Sequence, residues 1–343
     1  MRQCITAVRG HIVRRVSMIG ANSFRAAGLA VALSLGAIPS GALAQKGYPD
    51  KPIRLIVPFS PGGGTDIVAR VLAAKLSEGF GQQVIVDNRP GAGGTLGAET
   101  AARSIPDGYT MMMVSGSYSV NPSIYKLPYD PVSGVAPISA IGEGPFIVSV
   151  NPSVPAKTIK EFIALLKAKP GSLNYGSTGT GGITQLATEL FKLMTQTNMV
   201  HIPYKGTGPA LVDLLGGQVQ VLFGSAPAMI PQVKTSKVRG LAVTTAKRSA
   251  VLPDLPAVAE TVPGYEATLW YAVLGPKGLS KEIVKRWHEG IVAAVKTKDL
   301  QDRLAQEGLE PLASSPEQFA KVLRDDIGKW SKVVKAAGIK AGD

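Results

Sequence analysis

Residues Leu55–Arg70 read LIVPFSPGGGTDIVAR. A β-branched apolar run leads into three consecutive glycines and then into a run with helical spacing. Ile53–Val57 has the composition of a short strand. After the loop, Ile67, Val68, Val71, Leu72 and Leu76 fall on one face of a helix. Thr65 or Asp66 is placed to cap its start, and Gly79 and Gly81 to end it. The first turn of a helix presents unpaired N–H groups and a partial positive charge. Glycine in front of it lets an anion approach the backbone closely. The loop is not a phosphate-binding P-loop, because no Gly-Lys-Ser/Thr follows and Asp66 would repel phosphate. It does not fit G-x-G-x-x-G either, so a dinucleotide site is excluded. A carboxylate fits such a helix start as well as a phosphate does.

The same design recurs along the chain. QVIVDN (Gln83–Asn88) is followed by RPGAGGTLGAETAARS, and LNYGS (Leu173–Ser177) opens the loop and helix GSTGTGGITQLATELF. The strand in PDGYTMMMVS ends at Ser115, with Ser117 two residues on. After GPFIVSVNP the pattern restarts. Thr158-x-x-Glu161 predicts a capping box, and Ser315-Pro316 with Gln318 predicts another at the last of two C-terminal helices. Strands alternating with helices predict an α/β fold with mostly parallel sheet in two units. The irregular spacing of the glycine loops is not that of a sequence repeat. Thr65, Ser115, Ser117, Ser177 and Thr180 supply neutral hydroxyl donors beside these helix starts.

The N-terminus has a different character. Arg2, Arg9, Arg14, Arg15 and Arg25 precede the apolar run Ala26–Ile38, and SGALAQ then offers a small-x-small site ending at Ala44. This is the pattern of a cleavable signal peptide at residues 1–44, with Met1 or Met18 as the start. The apolar run is too short to span a bilayer. Cleavage removes five arginines and no acid, taking the formal charge from +13 to +8. It also removes Cys4, the only cysteine, so thiol chemistry and disulfides are excluded from the mature chain. The remaining basic residues are scattered and not interleaved with aromatics, which excludes a nucleic-acid-binding surface. Apolar residues make up 45% and charged residues 18% of the chain, a globular composition.

Catalytic patterns are absent. There is no G-x-S-x-G elbow, and SIYK (Ser123–Lys126) lacks the companion K-T-G. Two histidines, His201 and His288, remain after cleavage and form no H-E-x-x-H. No cofactor, metal or catalytic residue is expected.

Several segments carry a resemblance to a known family. They are YPDKPIRLIVPFSPGGGTDIVAR, VIVDNRPGAGGTLGAE, PDGYTMMM, VNPSIY, LNYGSTGTGG, HIPYKGTGPALVDLLGGQVQVLF and LPDLPAVAETVPGYE, in that order from Tyr48 to Glu266. The chain resembles the Bug/TctC family, periplasmic solute-binding proteins of tripartite tricarboxylate transporters. The resemblance implies a two-lobed type II periplasmic binding protein fold, with two Rossmann-like domains joined by a two-segment hinge near Gly144–Val150 and Leu269–Gly275. It implies an N-lobe of 45–146 and 271–343 and a C-lobe of 147–270. A small carboxylate, expected to be a dicarboxylate, would bind between them. Gly62, Gly63, Gly64, Thr65 and Asp66 match the family's N-lobe loop, and Ser115 and Ser117 the segment after its MMM strand. Ser177, Thr180 and Gly181 match its C-lobe loop, where Gly182 and Gln185 replace residues frequent in relatives. Phe59, Tyr118 and Trp270 either wall an aromatic ligand or belong to the core. Ligand and site residues aside, the resemblance implies a monomer whose partners are the transporter's membrane subunits. The alternatives are a binding protein of the same fold that reports to a sensor kinase, or an exported hydrolase.

Overall fold

The computed structural model describes residues 47–250 and 252–341; the signal peptide expected at 1–44 lies outside them. In chain order the elements are β1 (Ile53–Val57), α1 (Gly64–Phe80), β2 (Val84–Asn88), α2 (Thr95–Ala102), β3 (Thr110–Ser115), α3 (Ser117–Val120) and β4 (Val135–Val150). Then follow α4 (Ile159–Ala168), β5 (Asn174–Ser177), α5 (Ile183–Thr195), β6 (Val200–Pro203), α6 (Thr207–Leu215), β7 (Val221–Ser225), α7 (Ala226–Lys234) and β8 (Arg239–Val243). The chain closes with β9 (Thr268–Pro276), α8 (Lys281–Lys296), α9 (Lys298–Gln306), β10 (Glu310–Pro311) and α10 (Pro316–Ala337). Three helices therefore follow β9 where the sequence predicts two.

Two sheets share the long strand β4. In the first, β1 pairs in parallel with β2 and β3, while β9 runs antiparallel to both β3 and β4. In the second, β5 pairs in parallel with β6 and β7, and β4 runs antiparallel to β7 and β8. The sheets are mixed rather than mostly parallel, because β4 and β9 travel between the lobes against the direction of the strands they join.

Period-two alternation puts helices on both faces. Leu55 and Val57 of β1, Met111 and Met113 of β3, and Tyr271 and Val273 of β9 share a core with Leu72 of α1 and Trp287 of α8. Their neighbours Ile56, Met112, Val114, Ala272 and Leu274 pack instead with Ala98 of α2 and Phe319 and Leu323 of α10. In the second lobe, Phe146 and Val148 face Phe162 of α4 and Phe191 of α5, whereas Ile147 and Leu222 face Leu214 of α6 and Met229 of α7. Burying each such side chain is worth about 1.5–3 kcal/mol. Strands buried on both faces read as continuous apolar runs, as MMMV (Met111–Val114) of β3 does.

The crossings are defined by pairing. Val135–Pro145 of β4 pair with β9, and Phe146–Val150 pair with β7. On the return, the Ala267 N–H donates to Thr244 O at 3.0 Å, and β9 begins one residue later. Leu269 and Trp270 pair with Gly144 and Glu143 in the first lobe's sheet. The apolar run TLWYAVLGP carries no mark of where one sheet ends.

Helix ends follow the sequence in part. Ser315 and Gln318 form the reciprocal box, with N–H···O distances of 3.2 and 2.8 Å. Thr158 accepts from the Glu161 N–H at 3.1 Å, but the Glu161 carboxylate turns to the N–H of Lys157 at 2.7 Å. Gly81 ends α1 in the left-handed conformation, φ 66°.

Candidate functional site

The start of α1 is set by its loop. Gly63 precedes the helix, and neither Thr65 nor Asp66 caps it. Asp66 instead folds the loop back: its carboxylate accepts from the N–H of Gly62 at 3.0 Å, from Arg70 Nε at 3.1 Å and from Asn88 Nδ2 at 3.0 Å. Burial alone would raise the Asp66 pKa, but the bonds from Arg70, Gly62 and Asn88 outweigh it and hold the carboxyl below its ordinary value. Gly63, Gly64 and Thr65 are left facing the second lobe.

Three other helices begin opposite. α5 opens at Ile183 and Thr184, α6 at Thr207, and α7 just after Ser225. With α1 they line one cavity, together with Phe59, Ser115, Ser117, Phe146, Thr178, Leu269 and Tyr271. Four helix N-termini, each equivalent to about half a positive charge, thus converge on one space. Among the described residues no Asp, Glu, Lys, Arg or His lines it. The positive character that helix N-termini bring to such a space comes from backbone dipoles rather than from ionised side chains. Such a site holds a compact anion by N–H and O–H donation.

The lobes touch across this space. The Ser60 N–H donates to Lys205 O at 2.9 Å, the Ile183 N–H to Ser117 Oγ at 3.0 Å, and the Tyr125 hydroxyl to Thr180 O at 2.7 Å. Gly93 (φ 61°) lies so close to Thr180 that an added Cβ would come within 2.5 Å of its carbonyl oxygen. About 20 Å³ is left in this cavity, little more than one water occupies. The conformation is closed.

Of the residues singled out in the sequence, Phe59, Gly63, Gly64, Thr65, Ser115 and Ser117 line the cavity. Gly62, Asp66, Ser177, Thr180, Gly181 and Gln185 do not. Tyr118 donates to Pro131 O at 3.0 Å and stacks on Tyr129, and Trp270 packs on Phe319; only Phe59 of the three aromatics reaches the space between the lobes. Thr178, Thr184, Thr207, Ser225 and Tyr271 were not anticipated. A signal existed for Thr207 in Gly206-Thr207 and for Ser225 in Ser225-Ala226-Pro227, both helix-opening patterns. Tyr271 had none, being one of several apolar-run residues in β9.

The unlined residues form a network behind the second lobe's loop. Gln185 Oε1 accepts from the Gly181 N–H at 2.8 Å, which turns the amide nitrogen toward His201 Nδ1 at 3.2 Å. With Nδ1 accepting from that amide, the tautomer this network assigns carries its proton on Nε2, 2.6 Å from Ser177 Oγ. A serine hydrolase needs the opposite arrangement, with a lone pair facing the serine. Ser177 also lies off the cavity. The pair is built as a brace for the loop.

Fold and cavity define a two-lobed solute-binding protein. The family described as "Tripartite tricarboxylate transporter family receptor" (TctC) matches residues 68–339. Protein BugT of Bordetella pertussis is 38% identical over 300 residues, 85% of this chain and 91% of its own length. The chain belongs to this Bug/TctC family, whose fold is that of periplasmic binding proteins. The R. palustris protein Rpa4515, solved with adipate, is 37% identical with a TM-score of 0.83 over 85% of this chain and 99% of its own. MatC from Rhodopseudomonas palustris, solved with malate, is 27% identical with a TM-score of 0.80 over 84% and 100%.

Proposed function

We propose that this chain captures a small dicarboxylate between its lobes in the periplasm and delivers it to the membrane subunits of a tripartite tricarboxylate transporter. The observation that carries this reading is the convergence of four helix N-termini on a cavity without charged side chains. Adipate and malate in two relatives agree with it. We assign ligand contact to Phe59, Gly63, Gly64, Thr65, Ser115 and Ser117 from one lobe and to Thr178, Thr184, Thr207 and Ser225 from the other. The segments at Pro145–Phe146 and Ala267–Thr268 are the proposed hinge. Ligand binding then shifts an open–closed equilibrium, since donors on both lobes reach one anion only when the lobes meet.

The lining also limits the ligand. Asp66, the acid nearest the first loop, is committed to Arg70 and Asn88. An ammonium group would enter a positive potential with no carboxylate to pair it. The ligand class is therefore acids without an amino group. Thermal melting against paired acids tests this, because a ligand that binds only the folded state raises its melting temperature. Adipate, malate or a homologous diacid should raise it more than 2-aminoadipate or aspartate at equal concentration. Stabilisation by the amino acids alone would overturn the assignment.

A further inference from the structure

Two hydroxyls meet over the first residue of α1. Tyr271 comes from β9 and is fully buried; Ser225 comes from the end of β7 and is 2% exposed. Both line the cavity. Neither hydroxyl makes a hydrogen bond of good geometry, although the two lie within reach of each other and almost every other buried side-chain polar atom described is bonded. Leaving a buried hydroxyl unbonded is costly in a folded protein.

Ser225 is unusual in a second respect. It precedes α7 at the position where serine normally caps a helix, yet its side chain makes no capping bond. Its Oγ is turned to the cavity instead. Gly64 completes the arrangement: an added Cβ there would lie 2.6 Å from Ser225 Oγ and closer still to the Tyr271 hydroxyl. The two oxygens therefore crowd the backbone at the first turn of α1, the most positive part of that helix. Burial pushes the Tyr271 phenol well above its ordinary pKa, so it remains an O–H donor at any physiological pH.

We propose that Tyr271 and Ser225 are a specificity-determining pair whose hydroxyls donate together to one carboxylate oxygen of the ligand, over Gly64 at the start of α1. The inference rests on the carboxylate reading above and deepens it. One hydroxyl is delivered by the second lobe and the other by the strand that crosses from it. In this conformation the two hydroxyls stand too close over Gly64 for an oxygen to enter between them; the ligand parts them as it enters, so the pair links recognition of the acid to the extent of closure. The pair also explains how the site distinguishes acids without an ionised side chain: an analogue with a methyl group in place of that carboxylate leaves both hydroxyls unbonded.

The test uses Tyr271→Phe and Ser225→Ala with adipate and malate as probes, read by calorimetry and by melting of the unliganded protein. Tyr271→Phe removes a hydroxyl whose one polar neighbour, Ser225 Oγ, is poorly aligned with it until ligand arrives. The unliganded melting temperature should stay level or rise, while affinity for the better acid falls at least about tenfold, the loss of one hydrogen bond to a charged group. Ser225→Ala should behave in the same way, because no capping bond is lost. Wild-type affinity in both variants would overturn the pair. A fall in melting temperature matching the fall in affinity would also overturn it, by making the role structural. If neither acid binds the wild-type protein, the carboxylate reading itself fails, an outcome the variants do not mimic.

Discussion

Asp66→Asn separates the structural role of this residue from the ligand contact that its position in the glycine loop predicts. The carboxylate is 3% exposed. One oxygen accepts from the Gly62 N–H and Arg70 Nε, and the other meets Asn88 Nδ2 and the Arg70 guanidinium at 2.9 Å. An asparagine keeps one acceptor and turns an NH2 group against the donors on the other side. At least one charge-assisted bond is lost, worth about 1.5–3 kcal/mol. Arg70 is half exposed and recovers part of this by turning to water, so a loss of about 2 kcal/mol is expected. The pKa of Asp66 is depressed in the folded state. Its contribution is therefore complete above the unfolded carboxyl pKa of about 3.9 and disappears as pH falls through the lower folded value. Urea unfolding at pH 7 should show the full difference, narrowing below about pH 4. Ligand affinity should change less than about threefold, because Asp66 does not line the cavity. Unchanged stability with a tenfold loss of affinity would show that the carboxylate reaches the ligand, and would refute this reasoning.

Other perturbations follow from the same geometry. Gly64→Ala forces a methyl group onto Ser225 and Tyr271; it should abolish ligand-induced stabilisation and cost about 1–3 kcal/mol in urea unfolding. Tyr125→Phe removes one bond between the lobes. The closed-to-open ratio without ligand should fall about two- to tenfold, read by a fluorescence pair with one dye on each lobe; an unchanged ratio would mean that the contact does not hold the lobes together. His201→Gln should loosen the loop at Ser177–Gly181 and lower affinity, without any hydrolysis of esters by either protein; ester turnover by the wild type that His201→Gln removes would restore the enzyme reading.

The sequence carries those parts of the site that are local. A strand, a glycine loop and a helix start are consecutive at Leu55–Ile67, so Gly63, Gly64 and Thr65 are visible without tertiary information. The destination of a side chain is not. Asp66 was open to the ligand or to the helix, and the choice is made by Asn88, on another strand, and by Arg70, one turn away. Ser177 and Gln185 flank a loop of the right kind, at the end of β5 and in the first turn of α5, yet they face His201 of the adjacent strand. Thr178 of that loop and Thr184 of α5 take the cavity side. In a strand, alternate residues point to opposite faces, and only the partner strands decide which face meets the ligand. Tyr271 shows this most clearly: nothing in TLWYAVLGP distinguishes it from Trp270, which turns into the core between β9 and α10.

The central claim is that helix N-termini and hydroxyls, without any ionised side chain, hold a carboxylate between closing lobes. Calorimetric titration with the diacid that stabilises the protein most, beside its neutral diamide, tests it most directly. The diamide keeps shape and length but brings no charge. The diacid should bind at least about thirtyfold tighter, the combined worth of the helix termini acting on two carboxylates at roughly 1–2 kcal/mol each. Equal affinities for the two compounds would contradict the account.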